Sequence, residues 1–480
     1  MRAPTPCTLA LSSLAALALT LALAAPAAAA VPPVPANVDA SARHGNEAED
    51  AIAVNPTNPQ NVVTMATLPD VPSGLFQGVS FDGGRTWTRK VIGTGGRLGE
   101  ICCDQQLAWD PSGNLWMVYL LNTSGNVPVA VSTDGGLTFT KVAEIVPTRP
   151  TGSRAPQGAA ARRRGGASRG AASADQPSIA AGPHSVWVSD TSYPSTVVQA
   201  AGARVGGLGR FGSFTAPESV PTADGRGNYG DTAVGPDGQV MVIYQDQTSG
   251  QGGARIYTAL DADGLGPAGF GAPRLLARTR VGGFDYLPVQ PDRAVDAEAN
   301  LAWDRSGGRH AGRVYAIWTQ EVQNESDDMD IMLQRSDDGG ATWSAARRLD
   351  DDRGRNSQVN PAIAVDQASG AVAASWYDAR NDLGRGGAGD TDGVPNDDVQ
   401  VWATYSTDGG RTFAPNFQVS RGTSNAGDAA SYFDLGDYTH AAFQSHRFYP
   451  AWSDNSNSTG DNPDGALHQL DLYTASVPIP

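Results

Sequence analysis

"SFDGGRTW", residues 80–87, returns three times in this chain, as "STDGGLTF" from Ser132, "SDDGGATW" from Ser336 and "STDGGRTF" from Ser406. Each part of the octad has a physical task. The paired glycines allow positive φ in a tight hairpin turn. The aspartate accepts hydrogen bonds from turn N–H groups, and the threonine hydroxyl bonds locally to backbone. The closing Trp or Phe packs the turn onto its neighbour. One copy is a weak signal; four copies in one chain mark a repeated hairpin.

A second element precedes the turns, an apolar run that ends in a polar turn: "AIAVNPTNP", "QLAWDPSGN", "SIAAGPHS", "TAVGPDGQ", "NLAWDRSGG" and "AIAVDQASG". The runs end at Asn55, Asp110, Gly182, Gly235, Asp304 and Asp366, spaced roughly 50 to 70 residues apart, a blade-sized period with insertions. Aromatic-rich strands such as "NLWMVYLL", "SVWVSD", "RVYAIWTQ" and "AVAASWYD" follow them. A seventh unit runs from "FDLGDYTHAAF" through "RFYPAWSD" to "LDLYTASV" and stops before any fourth strand. Units three and four keep the strands but carry degenerate turns, "GRFGSFTAPE" and "ADGLGPAGF". These repeats predict an all-β chain folded as a β-propeller, seven-bladed by this count, with six the alternative. The segment "VPANVDAS" at 34–41 is expected to supply the missing outer strand and close the ring, which removes two exposed sheet edges. A pair of stacked sandwiches is the competing architecture.

The rest of the chain agrees. With 57 glycines and 32 prolines in 480 residues, the composition suits short strands and tight turns better than helices. Residues 1–30 read as a signal peptide: Arg2, the apolar run "LALSSLAALALTLALAA" and the small residues "APAAAA". The mature protein is therefore expected to be secreted or periplasmic, with residues 31–480 forming the propeller. The net charge of −16 should repel nucleic acid and anionic membranes. It is uneven: a segment at about 148–173 is rich in Ala, Gly, Ser and Arg, and six of its arginines come with no acid through Gly170. This segment reads as a flexible basic insert. An RNA-binding arm is the other reading, and it lacks aromatics for stacking.

The four octads resemble the Asp-boxes, or BNR repeats, of the sialidase superfamily, and the stretch "SWYDARND", "YSTDGGRTFAPNFQVS" and "GDYTH" is similar to bacterial secreted sialidase-like proteins. The resemblance covers nearly the whole mature chain. It implies that Asp82, Asp134, Asp338 and Asp408 are structural, on the face away from the active site. It also implies an exo-glycosidase of the exo-α-sialidase type, acting on the terminal sugars of glycans. Sialidases clamp the substrate carboxylate with three arginines, a geometry suited to bidentate guanidinium groups. Their Phe/Tyr-Arg-Ile-Pro arginine is absent here, where "PDVPSGLFQGVSFDGG" precedes the first octad, so no catalytic arginine carries over.

If the octads lie on one face, the loops that open each first strand lie on the other, and the site is sought there. Asp50, Asp104, Glu298, Asp378, Arg380 and Tyr438 are the catalytic candidates; Arg43, Glu47, Gln105, Asp231, Arg293, Arg355 and Asp437 are the substrate-binding ones. So many carboxylates around one mouth should raise pKa values or recruit a cation. Calcium is the cofactor this admits, with "GDTDGVPNDD" and "SDNSNSTGDNPDG" as further oxygen-rich loops that lack an EF-hand pattern. Cys102 and Cys103 directly precede Asp104. A disulfide between them, two buried thiols and two-cysteine metal ligation all stay open. The expected partners are glycans or polysaccharide, bound by a monomer, with no nucleic acid or membrane. A non-catalytic glycan- or protein-binding propeller, and a polysaccharide lyase or other hydrolase on the same scaffold, remain the alternatives.

Overall fold

The computed structural model describes Met1 and residues 31–480 apart from 149–171, 229, 248–249 and 430. The leader and nearly all of the basic insert lie outside the described residues. What is described is a seven-bladed β-propeller. No helix among the described residues is long and apolar enough to cross a membrane.

Each blade is an antiparallel sheet of four main strands, laid down in chain order in the first six. The first runs through Ala48–Val54, Val62–Thr67, Leu75–Ser80 and Thr88–Ile92. The innermost strands of the next five are Gly99–Trp109, Ser173–Ala181, Thr232–Val234, Asn300–Trp303 and Gln358–Val365. Trp116, Trp187, Trp318, Trp376 and Trp452, all on second strands, are fully buried. Seven separate hydrophobic clusters fill the interior, one at each blade-to-blade interface. This is the arrangement expected when no blade can bury both of its faces alone.

The octads join third strands to fourth strands in blades one, two, five and six. In the first, Ser80 Oγ donates to Asp82 Oδ1 (2.8 Å), Thr86 donates from N to Oδ1 (3.0 Å) and from Oγ1 to Oδ2 (2.7 Å), and Gly84 N donates to Ser80 Oγ (2.9 Å). The same four bonds recur around Asp134, Asp338 and Asp408, with the Thr Oγ1 bond at 2.6 Å in all three. Both glycines of every octad have φ between 65° and 90°. The closing aromatics Trp87, Phe139, Trp343 and Phe413 each pack on the interface with the preceding blade. Every acceptor of these four aspartates is engaged inside its own turn, which is the behaviour of a structural carboxylate. Strand alternation puts the octads at one end of the ring and the starts of the first strands, with Cys102 and Cys103, at the other.

The ring closes as the sequence predicts. Asn37–Asp39 pairs antiparallel with Asp471–Ala475, outside Arg447–Asp454 and Ala441–Gln444. At this seam three buried carboxyl groups meet. Asp471 lies within hydrogen-bonding range of both Asp39 and Glu47. Ser41 Oγ has one proton to offer Asp39 Oδ1 (3.3 Å) and Asp471 Oδ1 (3.1 Å). Arg43 pairs with Glu47 Oε1. Asp39 Oδ2, Glu47 Oε2 and Asp471 Oδ2 are buried without a hydrogen-bond donor. Burial, before any neighbour, pushes all three carboxyls up to about 8.

Candidate active site at the mouth of the propeller

In four blades the first strand slips register, between Ala48 and Ala51, Cys103 and Gln106, Asp175 and Ser178, and Val359 and Ala362, with a further slip between Ile101 and Cys103 in the second blade. Such bulges re-aim a side chain. Within these bulges Glu49 (φ 59°), Asp104 (55°), Gln176 (46°) and Asn360 (50°) adopt the left-handed region although none is glycine. Glu298 (39°) does the same just ahead of the fifth blade. All five stand three residues before the same apolar position of their blades, Ile52, Leu107, Ile179, Ile363 and Leu301, and Tyr438 holds that place before Ala441. Backbone strain of about 1 to 3 kcal/mol at each such residue persists only where the surroundings enforce it. Five of the seven blades thus carry one strained polar residue at the entry to the first strand.

A hairpin inserted between blades four and five, Asp285–Leu287 and Gln290–Val295, lies over this ring. Gln290 binds it to the last blade through Gly436 O (2.7 Å) and Leu435 N (2.9 Å), and Asp434 Oδ2 accepts from the N–H groups of Asp292 and Arg293, both at 2.8 Å. The hairpin delivers Arg293, whose Nη2 reaches Glu49 Oε1 (3.0 Å) and Asp437 Oδ2. Its guanidinium lies 5.0 Å above the Phe433 ring. Burial opposes the charge on Arg293, but Asp437, Glu49, Asp104 and Asp175 outweigh it and hold the group protonated. Gln176 ties the far side of the ring together, its N bonding Asp104 Oδ2 (3.1 Å) and its Nε2 bonding Asp437 Oδ2 (3.2 Å).

The carboxyls here are short of counter-charge. Burial, followed by Asp175 and Asp437, raises Asp104 to about 8. Burial and then Asp437 drive Glu49 far above the carboxylate range, with Arg293 working against them. Asp296 and Glu298 lie within hydrogen-bonding range of each other, and burial drives both far up, Glu298 further pushed by Asp296 and Asp437. Such a pair holds one proton between two groups. Glu298 Oε2, Asp437 Oδ1 and the Tyr438 hydroxyl are buried without partners. Burial, then Glu49, raises Tyr438, so its hydroxyl stays a donor. His440 packs edge-on to Tyr438 at 5.4 Å and is kept neutral by burial.

The structure thus brings Asp104, Glu298, Tyr438, Arg293 and Asp437 to one place, with Gln105 beneath them, accepting from Thr67 Oγ1 (2.9 Å) and donating to Glu49 O. It leaves the other predicted residues outside. Asp50 points away from its neighbour Glu49 and accepts from Ser453 Oγ (3.0 Å). Asp231 links three blades, accepting from Ser178 Oγ (2.6 Å), Thr232 N (2.7 Å) and Leu301 N (3.0 Å). Asp378 accepts from Trp376 Nε1 (2.8 Å) and Arg380 Nε (2.9 Å), while Arg380 also binds Asp351 and lies 4.1 Å over the Trp402 ring. Arg43 and Glu47 belong to the seam, and Arg355 is exposed on the loop before blade six. The arginines therefore form no common clamp. Glu49, Gln176 and Asp296 are site residues that the candidate set lacks. Superposing the six first strands in sequence, with the residue three before each apolar start as the marker, would have found Glu49 and Gln176.

Cys102 and Cys103, both partly buried against the interface of blades two and three, have their sulfurs in bonding contact. Among the described residues, carboxylate oxygens also gather at Asp330, Asp350 and Asp352, at Asp382, Asp390 and Asp398, and at Asp392, Asp397 and Asp398. Arg348 pairs with all three acids of the first group. In the second, backbone amides of residues 384, 386, 391, 393, 397 and 398 take up the oxygens. Asp454 and Asp464, from the other oxygen-rich loop, serve separate groups, Trp452 and Ser456 for one and His44 and Gly45 for the other.

The chain is a seven-bladed propeller built with Asp-box turns, and residues 334–345 match the family model described as BNR/Asp-box repeat. No curated protein matches it. Solved structures similar to it include a mutant α-L-arabinofuranosidase from Fusarium graminearum in complex with an iminosugar inhibitor, at 12% identity over 73% of this chain and 92% of that one, with a TM-score of 0.45. A Dyadobacter fermentans protein of unknown function shares 14% identity over 92% and 98% of the two chains, with a TM-score of 0.46. Trypanosoma rangeli sialidase with the inhibitor DANA shares 10% over 93% and 60%, with a TM-score of 0.41.

Proposed function

We propose that this protein is a secreted carbohydrate-active propeller whose mouth cleaves a glycosidic bond at the end of a glycan by acid–base catalysis. The observation that carries this reading is the buried Asp296–Glu298 carboxyl pair beside the Arg293–Asp437 ion pair. Glycoside hydrolysis needs one carboxyl that keeps its proton at working pH and a second group that carries negative charge. Glu298, kept protonated by burial and Asp296, gives its proton to the leaving oxygen. Asp437 supplies the carboxylate, either activating water or facing the charge that develops on the sugar ring. The Tyr438 hydroxyl donates a hydrogen bond to the sugar and, being held protonated, does not attack it.

The test is release of dye from a panel of fluorogenic glycosides, arabinofuranosides and a sialoside included, by the mature chain. A Glu298→Gln variant is expected to lose at least about a hundredfold in kcat with KM little changed. Products with an unsaturated sugar ring would instead make the protein a lyase. A second reading, a glycan-binding propeller without turnover, draws on the hairpin that covers the mouth; binding retained with no dye released from any glycoside would favour it. The adjacent disulfide belongs to the same proposal, as a rigid stop ahead of Asp104. Unreduced protein is expected to take up no alkylating label by intact mass, and reduced protein two; labelling of unreduced protein would remove the bridge from the account.

A further inference from the structure

Resting on that reading of the mouth, we propose that the sugar unit it accepts carries a protonated amine and no carboxylate. Glu49, Asp104, Asp296, Glu298 and Asp437 meet there around a single guanidinium. The charge of that guanidinium is already shared, since one nitrogen of Arg293 serves both Glu49 and Asp437, and only its Nε is left buried without a partner. Arg43 is held by Glu47 at the seam, and Arg380 by Asp378 and Asp351. An incoming carboxylate would therefore find no unpaired cation at the mouth among the described residues, and would face the Asp437 carboxylate and the charge of the Asp296–Glu298 pair in a poorly solvated place, where they are weakly screened. An ammonium group finds the opposite: two buried acceptors without partners, Glu298 Oε2 and Asp437 Oδ1. The Arg293–Asp437 pair is the part of the cluster that reaches solvent, its side chains 28% and 12% exposed, so an arriving amine meets Asp437 first. The ammonium N–H then donates to the Asp437 carboxylate, and Glu298 keeps the proton that it gives to the leaving oxygen.

The experiment is isothermal titration of the mature protein with methyl glycosides of glucosamine, N-acetylglucosamine and glucuronic acid, and their galacto counterparts. Two buffers of different ionisation heat report proton release. The amine is expected to bind at least tenfold more tightly than the acetamide, with no net proton release in either buffer and with a preference that shrinks as salt is raised. The uronides should not bind. Asp437→Asn should remove the preference, and Glu298→Gln provides a second variant if the first does not fold. Equal binding of amine and acetamide, or tighter binding of a uronide, would overturn this proposal and leave the glycan reading standing. Failure of every sugar to bind would overturn both.

Discussion

Replacing Arg293 with alanine should destabilise the protein by about 3 kcal/mol or more, because it strips from a ring of buried carboxyls the only guanidinium that the described residues bring to it. Breaking a buried ion pair from one side leaves the other charge without compensation, and here Glu49 is fully buried and Asp437 nearly so. The deficit should depend on pH. Where the carboxyls are protonated the missing cation matters least, and burial keeps Asp104 protonated up to about 8 and Glu49 higher still, so the deficit should grow as pH climbs through 8. Urea titrations at several pH values measure this, and Arg293→Lys, which keeps the charge but loses the planar guanidinium over Phe433, should fall between wild type and the alanine variant. A small deficit that is the same at every pH would show that Arg293 is an ordinary surface residue of the hairpin.

The second large effect is at the seam. Asp39, Glu47 and Asp471 are raised to about 8 in the folded protein, against about 4 in an unfolded chain. A carboxyl shifted this way binds its proton more tightly when folded, so its stabilisation is complete below pH 4 and is lost as pH climbs through 8. For one group the ceiling is about 5 kcal/mol, and three groups that share protons yield less than the sum. Arg43, Asp461 and Tyr473 are the other charged or titratable groups that bear on the three. Stability should therefore fall from mildly acidic to alkaline pH, and amide exchange in Asn37–Asp39 should accelerate with it beyond the chemical effect of pH. Asp471→Asn, which cannot ionise, should flatten both trends. An unchanged pH profile in that variant would remove the seam from the explanation.

Most of the architecture was legible because the octads are self-contained: their serine, aspartate, glycines and threonine bond to one another, so local sequence reports local structure. The outer strand at the seam was legible for a different reason, since a seventh unit one strand short leaves an edge that only the other end of the chain can cover. The site was legible only by residue type. Asp50 and Glu49 are adjacent, yet one turns to Ser453 and the other to the mouth, and the choice is made by a bulge with a strained non-glycine residue that no composition rule announces. Arg293 was found as an arginine near a strand but not as the centre, because it arrives on a hairpin outside the repeat. Asp378 and Arg380 were drawn to the candidate set by chemistry that they spend on each other.

The pairing of Asn37–Asp39 with Asp471–Ala475 also sets an order of assembly. The ribosome makes Asn37–Asp39 well before Asp471–Ala475, so blades one to six can form while the wheel is still open, and sealing waits for the seventh. Until then the opening segment has no strand to join and the final interface stays wet. A permuted chain that starts and stops between two blades would carry its last sheet on one continuous stretch, separating the cost of late sealing from the strength of the finished circle.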